Sequence, residues 1–185
     1  MKTKAPLLKG MNLWAILGPC IGGVALMTVG VIMVLIEGPS GSVQVILTRV
    51  LVVLLGLASY IVGIVFYYMM LYRAWSAIQD MPRGMPRTTP GKAVGFLFIP
   101  FFNFYWIFVG IYGLAQDYNR YIAEKKYDLP RMSEGLFMAS CVLRLCSMVP
   151  YLGILVAVGY LVVILIVCVQ VSSGLNGLVS IKNNE

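Results

Sequence analysis

The sequence predicts an all-α fold, a polytopic membrane helical bundle of four spans with an inner-face re-entrant or interfacial aromatic hairpin. Three observations lead there. Hydrophobic residues make up 60% of the chain and charged residues 11%, where a soluble domain carries about 45–50% and about 25%. The apolar excess falls in runs of roughly 15 to 24 residues parted by short polar stretches, the length range of membrane spans. Basic residues, 14 against 7 acidic, gather in segments that alternating spans leave on one face. A single integral-membrane domain over residues 1–185 follows, with spans at about 13–36, 47–72, 135–149 and 152–171 and the hairpin at about 93–115.

Lys2, Lys4 and Lys9 precede the first run, Leu13 to Ile36, whose 24 residues measure about 36 Å as a helix. That exceeds the apolar core of a cleaved secretory signal, so an uncleaved span starting on the inner side is expected. Leu17-Gly18-Pro19-Cys20 is a poor lipoprotein box, because Pro19 directly precedes the cysteine and the apolar run continues. Glu37 to Ser42 is a turn by composition, acidic and without a basic residue, and is placed outside. The second run, from Val43, returns to Tyr67, Tyr68, Tyr72, Arg73 and Trp75, an aromatic and basic mixture suited to the inner interface.

Met81 to Lys92 is a Pro- and Gly-rich inner loop. Ala93 to Ala115 is long enough to span, but Pro100 removes a backbone donor near its middle and Asn103 has an N-cap side chain. These two residues are the candidate hairpin cap, Pro100 ending one short helix and Asn103 starting the next, in a stretch rich in Phe, Tyr and Trp. The polar continuation to Lys126 is expected on the surface, broken at Leu129 to Met132. Ser133 and Glu134 then make a cap and an acidic first turn. Gly135 to Val171 is about 55 Å as one helix, nearly twice a bilayer core, so a turn at Val149-Pro150-Tyr151-Leu152-Gly153 must divide it. The tail from Ser172 is polar enough to leave the membrane.

Charge separates two topologies. With an inner hairpin there are four spans, both termini are cytoplasmic, and twelve of the fourteen basic residues lie inside; Arg49 and Arg144 are within spans. If Ala93 to Ala115 crosses, five spans result, with seven basic residues inside against five outside. The positive-inside rule favours the first, while hydropathy alone reads the stretch as a span.

Met70 to Trp75, then Thr89-Pro90-Gly91-Lys92-Ala93-Val94-Gly95-Phe96, then Ile99-Pro100-Phe101-Phe102-Asn103-Phe104-Tyr105-Trp106, are arranged in order and spacing. Together they resemble the central region of an uncharacterised bacterial integral-membrane family, the domain of unknown function 4328 type. The likeness covers about a fifth of the chain and departs from the family at Lys92, where an aromatic is usual. It implies a multi-span protein of a bacterial inner (plasma) membrane and transfers no catalytic residue or ligand.

The composition restricts chemistry further. There is no His, which removes His general bases, His-ligated haem, HExxH zinc sites and Ser-His-Asp triads. Cys20, Cys141, Cys146 and Cys168 sit in apolar runs without a CxxC pair. No cofactor, metal or nucleic-acid partner is expected. Arg49 and Arg144 are candidate contacts for an anionic lipid head group or substrate, against a plainer reading in which each snorkels to an interface or Arg144 pairs with Glu37. Gly18 and Gly22, and Gly153 with Ala157, have the spacing of close helix contacts. Lys125 and Lys126, with Arg120 and Arg131, attract anionic lipid without specificity. The expected function is a non-catalytic membrane or assembly component, not an enzyme. Its partners are membrane lipids, a second copy or another membrane protein. A small transporter, channel or lipid-handling protein is the alternative, weakened for proton coupling because every Asp and Glu is expected in a loop or at a segment end.

Overall fold

A computed structural model describes residues 12–37, 42–79, 86–149 and 151–184. The lysine-rich start, most of the expected outer turn, the first part of the loop after Met81 and Pro150 lie outside the described residues. All regular structure among the described residues is helical: α1 (Trp14–Glu37), α2 (Val43–Ala77), α3 (Pro90–Gly95), α4 (Phe102–Ile107), α5 (Gly113–Lys125), α6 (Glu134–Cys146) and α7 (Leu152–Asn184). A 3-10 turn, Phe96–Phe98, extends α3, and a π segment, Phe108–Tyr112, joins α4 to α5. Three of these helices, α1, α2 and α7, are long and apolar enough to cross a membrane. Two compact units result, Asn12–Tyr67 and a larger one from Tyr68 onward, the boundary falling within α2.

In the smaller unit Asn12 caps α1, its Oδ1 accepting from the Trp14 N–H at 3.0 Å. α1 and α2 run antiparallel along a seam of small residues. A Cβ on Gly23 would lie 2.7 Å from the Gly56 carbonyl oxygen, and one on Gly56 2.9 Å from that of Gly23. The Ser59 hydroxyl donates to the Pro19 carbonyl at 3.0 Å across the same seam. Gly18 and Gly22, the expected contact pair, meet nothing within 4 Å among the described residues. Gly30 and Gly63 extend the seam in the two directions, Gly30 lying against the Val53 side chain and Gly63 against Cys20. Outside the seam the surface is apolar, with Val24, Val29, Leu47, Leu51 and Leu54 exposed.

The larger unit has a packed interior. Met70, Leu71, Ala74 and Trp75 at the end of α2, Leu114, Tyr118 and Tyr121 on α5, Phe137 on α6, and Val171, Leu175 and Leu178 on α7 are all buried. The chain breaks at Ile99-Pro100-Phe101, as the proline predicts, and folds back: the Trp106 indole donates to the Ala93 carbonyl at 3.2 Å. The Trp75 indole donates to the Gly110 carbonyl at 2.9 Å near the base of this hairpin, and the ring of Phe98 near its tip lies 4.8 Å from that of Tyr68. Tyr68 is seven residues before Trp75, so the hairpin lies along about 10 Å of α2.

The expected cap needs correction. The N-cap position of α4 is Phe101, whose φ is 61°, and Asn103 is inside the helix with no capping bond. The reversal at Phe101 lets backbone carbonyls take the first amides: Phe102 N–H donates to Pro100 at 2.7 Å and Asn103 N–H to Ile99 at 3.0 Å. A side-chain cap has nothing left to do, and Asn103 Oδ1 is buried without a hydrogen bond.

α5 ends at Lys125, earlier than the expected break, because Lys126 turns left-handed at φ 56° and Tyr127 N–H closes back on the Ile122 carbonyl at 3.0 Å. Ser133 is the N-cap residue of α6, with Glu134 in the first turn, although its hydroxyl makes no capping bond. α6 has 13 residues, about 20 Å, and packs antiparallel to α7. α7 continues to Asn184, well beyond the expected end at Val171, because its polar tail still carries Leu175, Leu178 and Val179 into the interior.

Candidate functional site

A polar network ties the ends of the helices in the larger unit. On α5 the buried stripe Leu114, Tyr118 and Tyr121 includes Asp117 at the i+3 position, so a carboxylate is carried inward, 1% exposed. Burying it requires a counter-charge and hydrogen bonds. Arg87 provides both: its backbone N–H donates to Oδ2 at 3.0 Å, its Nε to Oδ1 at 3.0 Å and its Nη2 to the same oxygen at 2.9 Å. Gln79 secures the connecting segment, donating to the carbonyls of Trp75 and Thr88.

Asn119, two residues on, treats the loop before α6 as a neighbouring strand. Its Oδ1 accepts from Met132 N–H at 2.8 Å and its Nδ2 donates to the Met132 carbonyl at 2.9 Å. Gln170 of α7 accepts from Ser133 N–H at 2.8 Å, and Lys182 donates to the Ala77 carbonyl at the end of α2. Burial beside this network pushes the Tyr118 phenol up to about 12.

A cleft of about 450 Å³ is lined by Arg87, Gln116, Asn119, Arg120, Arg131 and Glu134. Three arginines from three separate segments thus line one concavity together with Glu134, which accepts from Asn119 Nδ2 at 3.1 Å. The chemistry on offer is electrostatic and hydrogen-bonding. Among the described residues no group of three or more His, Cys, Asp or Glu is placed to hold a metal ion.

Of the residues singled out in the sequence, Arg49 is buried in the smaller unit, 6% exposed, and Arg144 is half-buried in the last turn of α6. They belong to different compact units. The side chain of Glu37, the expected partner of Arg144, lies outside the described residues. Pro100 is at the hairpin turn, and Asn103 has moved from cap to helix interior. Sequence reasoning missed Arg87, Asp117, Asn119 and Gln170. It placed all acids in loops or at segment ends, whereas Asp117 is mid-helix and enclosed. The signal was its position in the apolar stripe of α5.

No family model, curated protein or solved structure matches the chain.

Proposed function

We propose that the chain is a non-catalytic, four-crossing protein of a bacterial inner membrane, with both termini cytoplasmic, and that it acts as a membrane or assembly component. In this reading it belongs with the family its central motifs resemble. The observation that carries the proposal is the contact of Lys182 with the Ala77 carbonyl. It brings the ends of two membrane-length helices, α2 and α7, to one place, so the chain between them returns by an even number of crossings.

The Ala93 to Ala115 stretch is bent back on itself at Pro100, which argues against its being one of them. That leaves α6 as the return limb beside α7. From Leu152 to Gln170, where the side chain meets the start of α6, α7 measures about 28 Å, close to the ~30 Å hydrocarbon thickness. α6 is shorter, and its exposed end, Met148, Val149 and Tyr151, together with Arg144, suits a span completed by local thinning and snorkelling. The packed interior around Trp75, Tyr118 and Phe137 is then an inner-leaflet cap, held at the interface by the aromatic hairpin.

Labelling with a membrane-impermeant maleimide tests the reading, in a variant whose four cysteines are alanine. Tyr151→Cys should react in intact cells and Lys125→Cys only after lysis. Reaction of Lys125→Cys from outside refutes the topology.

A further inference from the structure

We propose that the second limb of the aromatic hairpin is a register switch, which turns by one residue at the π segment and exchanges Asn103 for Phe104 in the interior. Three local irregularities fall in one short stretch. Phe101 holds a φ of 61°, and Asn103 Oδ1 is buried without a hydrogen bond. Between Phe108 and Tyr112 the helix widens, the Gly113 N–H donating to the Phe108 carbonyl five residues back. Each raises the free energy of the stretch above that of a plain helix. Irregularities of this kind persist only where the surroundings hold them. Here the Trp75 indole donates to the Gly110 carbonyl at 2.9 Å, and the Cys141 thiol to the Ile107 carbonyl at 3.4 Å. Both contacts are buried, and they grip the widened turn and the residue before it.

The direction of the turn follows from the hydrogen bonds. A plain helix pairs the Gly113 amide with Val109 in place of Phe108, so each residue of α4 moves into the place of the one before it. One residue is about 100° of rotation and about 1.5 Å of rise. Phe104 then enters the position of Asn103, and Asn103 reaches that of Phe102, which is 39% exposed. An apolar ring replaces an unpaired carbonyl in the interior, the exchange that burial favours. The outward face changes with it. Phe102, Phe104 and Tyr105 are exposed in the observed register, and Asn103, Tyr105 and Trp106 take their places after the turn. The first set suits hydrocarbon and the second the head-group layer, so the register follows the polarity around the hairpin tip. The Cys141 thiol opposes the turn, because the Ile107 carbonyl leaves its reach. The switch operates whichever side the hairpin enters from, so it stands apart from the four-crossing topology.

The test is the distance between nitroxides on Tyr105→Cys and Val158→Cys, measured by pulsed electron spin resonance on the full chain in phosphatidylcholine nanodiscs. Cys20, Cys146 and Cys168 are replaced by alanine, and the enclosed Cys141 is kept. Tyr105 and Val158 are 62% and 72% exposed, and the turn carries Tyr105 to the exposed place of Phe104, so both labels stay outside the interior. The native stretch should give a main distance and a second, less populated one. Cys141→Ala should raise the second population about threefold, the loss of one weak hydrogen bond. Asn103→Leu, which removes the unpaired carbonyl, should lower it by at least as much. Deleting Val109 takes the extra residue out of the widened turn, and should leave the main distance and abolish the second. One distance common to all these proteins overturns the switch. So does a second distance that Cys141→Ala leaves unraised or Asn103→Leu undiminished, or a main distance lost on deleting Val109. The maleimide result has no bearing on these distances, so the two proposals fall separately.

Discussion

Arg87 and Asp117 form an ion pair, at 2.9 Å, in which one partner is enclosed and the other is not: the carboxylate is 1% exposed and the guanidinium side chain 36%. The pair joins the segment before α3 to the middle of α5, thirty residues apart, and an additional bond from the Arg87 backbone reinforces it. Removing the arginine side chain strands a buried carboxylate, whereas removing both charges leaves an apolar contact whose one remaining cost is the backbone N–H at position 87, deprived of its acceptor. Arg87→Met should therefore lower the unfolding free energy by about 2 kcal/mol, less than for a fully buried pair because solvent already screens the guanidinium. The double variant Arg87→Met, Asp117→Leu should recover more than half of that loss. Urea unfolding of the four members of this cycle in detergent measures it; a double variant as unstable as the sum of the singles refutes the account.

The α1–α2 seam makes an opposite pair of predictions for adjacent glycines. Gly23→Ala pushes a methyl into the Gly56 carbonyl and the backbone of Tyr60, and should cost about 1–3 kcal/mol. Gly22→Ala meets open space and gains helix propensity, so it should be neutral or stabilising by up to about 1 kcal/mol. Helical content followed through denaturation separates the two; equal effects would show that the seam is not the contact.

These glycines also show what could be read in advance. Helix existence was legible throughout, because run length and breaker residues report the solvent and the turns locally: Pro100, Ser133 and the turn before Leu152 are where the sequence puts them. The contact face of α1 was not, since the i, i+4 spacing of Gly18 and Gly22 says that close approach is possible but not which glycines on α2 will meet it. Likewise Asp117 looked like one more charge in a polar surface segment. Its enclosure goes with a pairing to Arg87, thirty residues away, information that no local window contains.

Tyr118 gives the larger unit a dependence on alkaline pH. Its hydroxyl donates to the Pro130 carbonyl at 3.4 Å, and burial raises the phenol from 10 to about 12. Because the folded-state value is above the unfolded one, the contribution to stability is fully present below about pH 10 and is lost as pH rises towards 12. Wild-type protein should thus lose stability between pH 10 and 12 more steeply than Tyr118→Phe, which has no proton to release there. Urea midpoints at pH 9 and 11 provide the comparison, and parallel declines in the two proteins would show that Tyr118 ionises freely.

The hairpin tip makes the last prediction, and it separates membrane anchoring from ordinary packing. Phe98, Phe101 and Tyr105 are 65%, 83% and 62% exposed, more than water alone would favour for three neighbouring aromatics. Phe101 also holds a φ of 61°, a conformation that glycine adopts at lower cost. The side chain contributes little to the interior, so Phe101→Gly should stabilise the protein in detergent by about 1 kcal/mol by relieving that strain. If the tip reaches about 5–10 Å into the head-group and acyl boundary, a nitroxide on Phe101→Cys will distinguish the surroundings. In bilayers it should collide with dissolved oxygen in preference to a water-soluble nickel chelate, and in the cysteine-replaced background the same label at Lys125→Cys should show the reverse. A chelate-accessible label at position 101 would place the tip in water and remove the hairpin from the membrane.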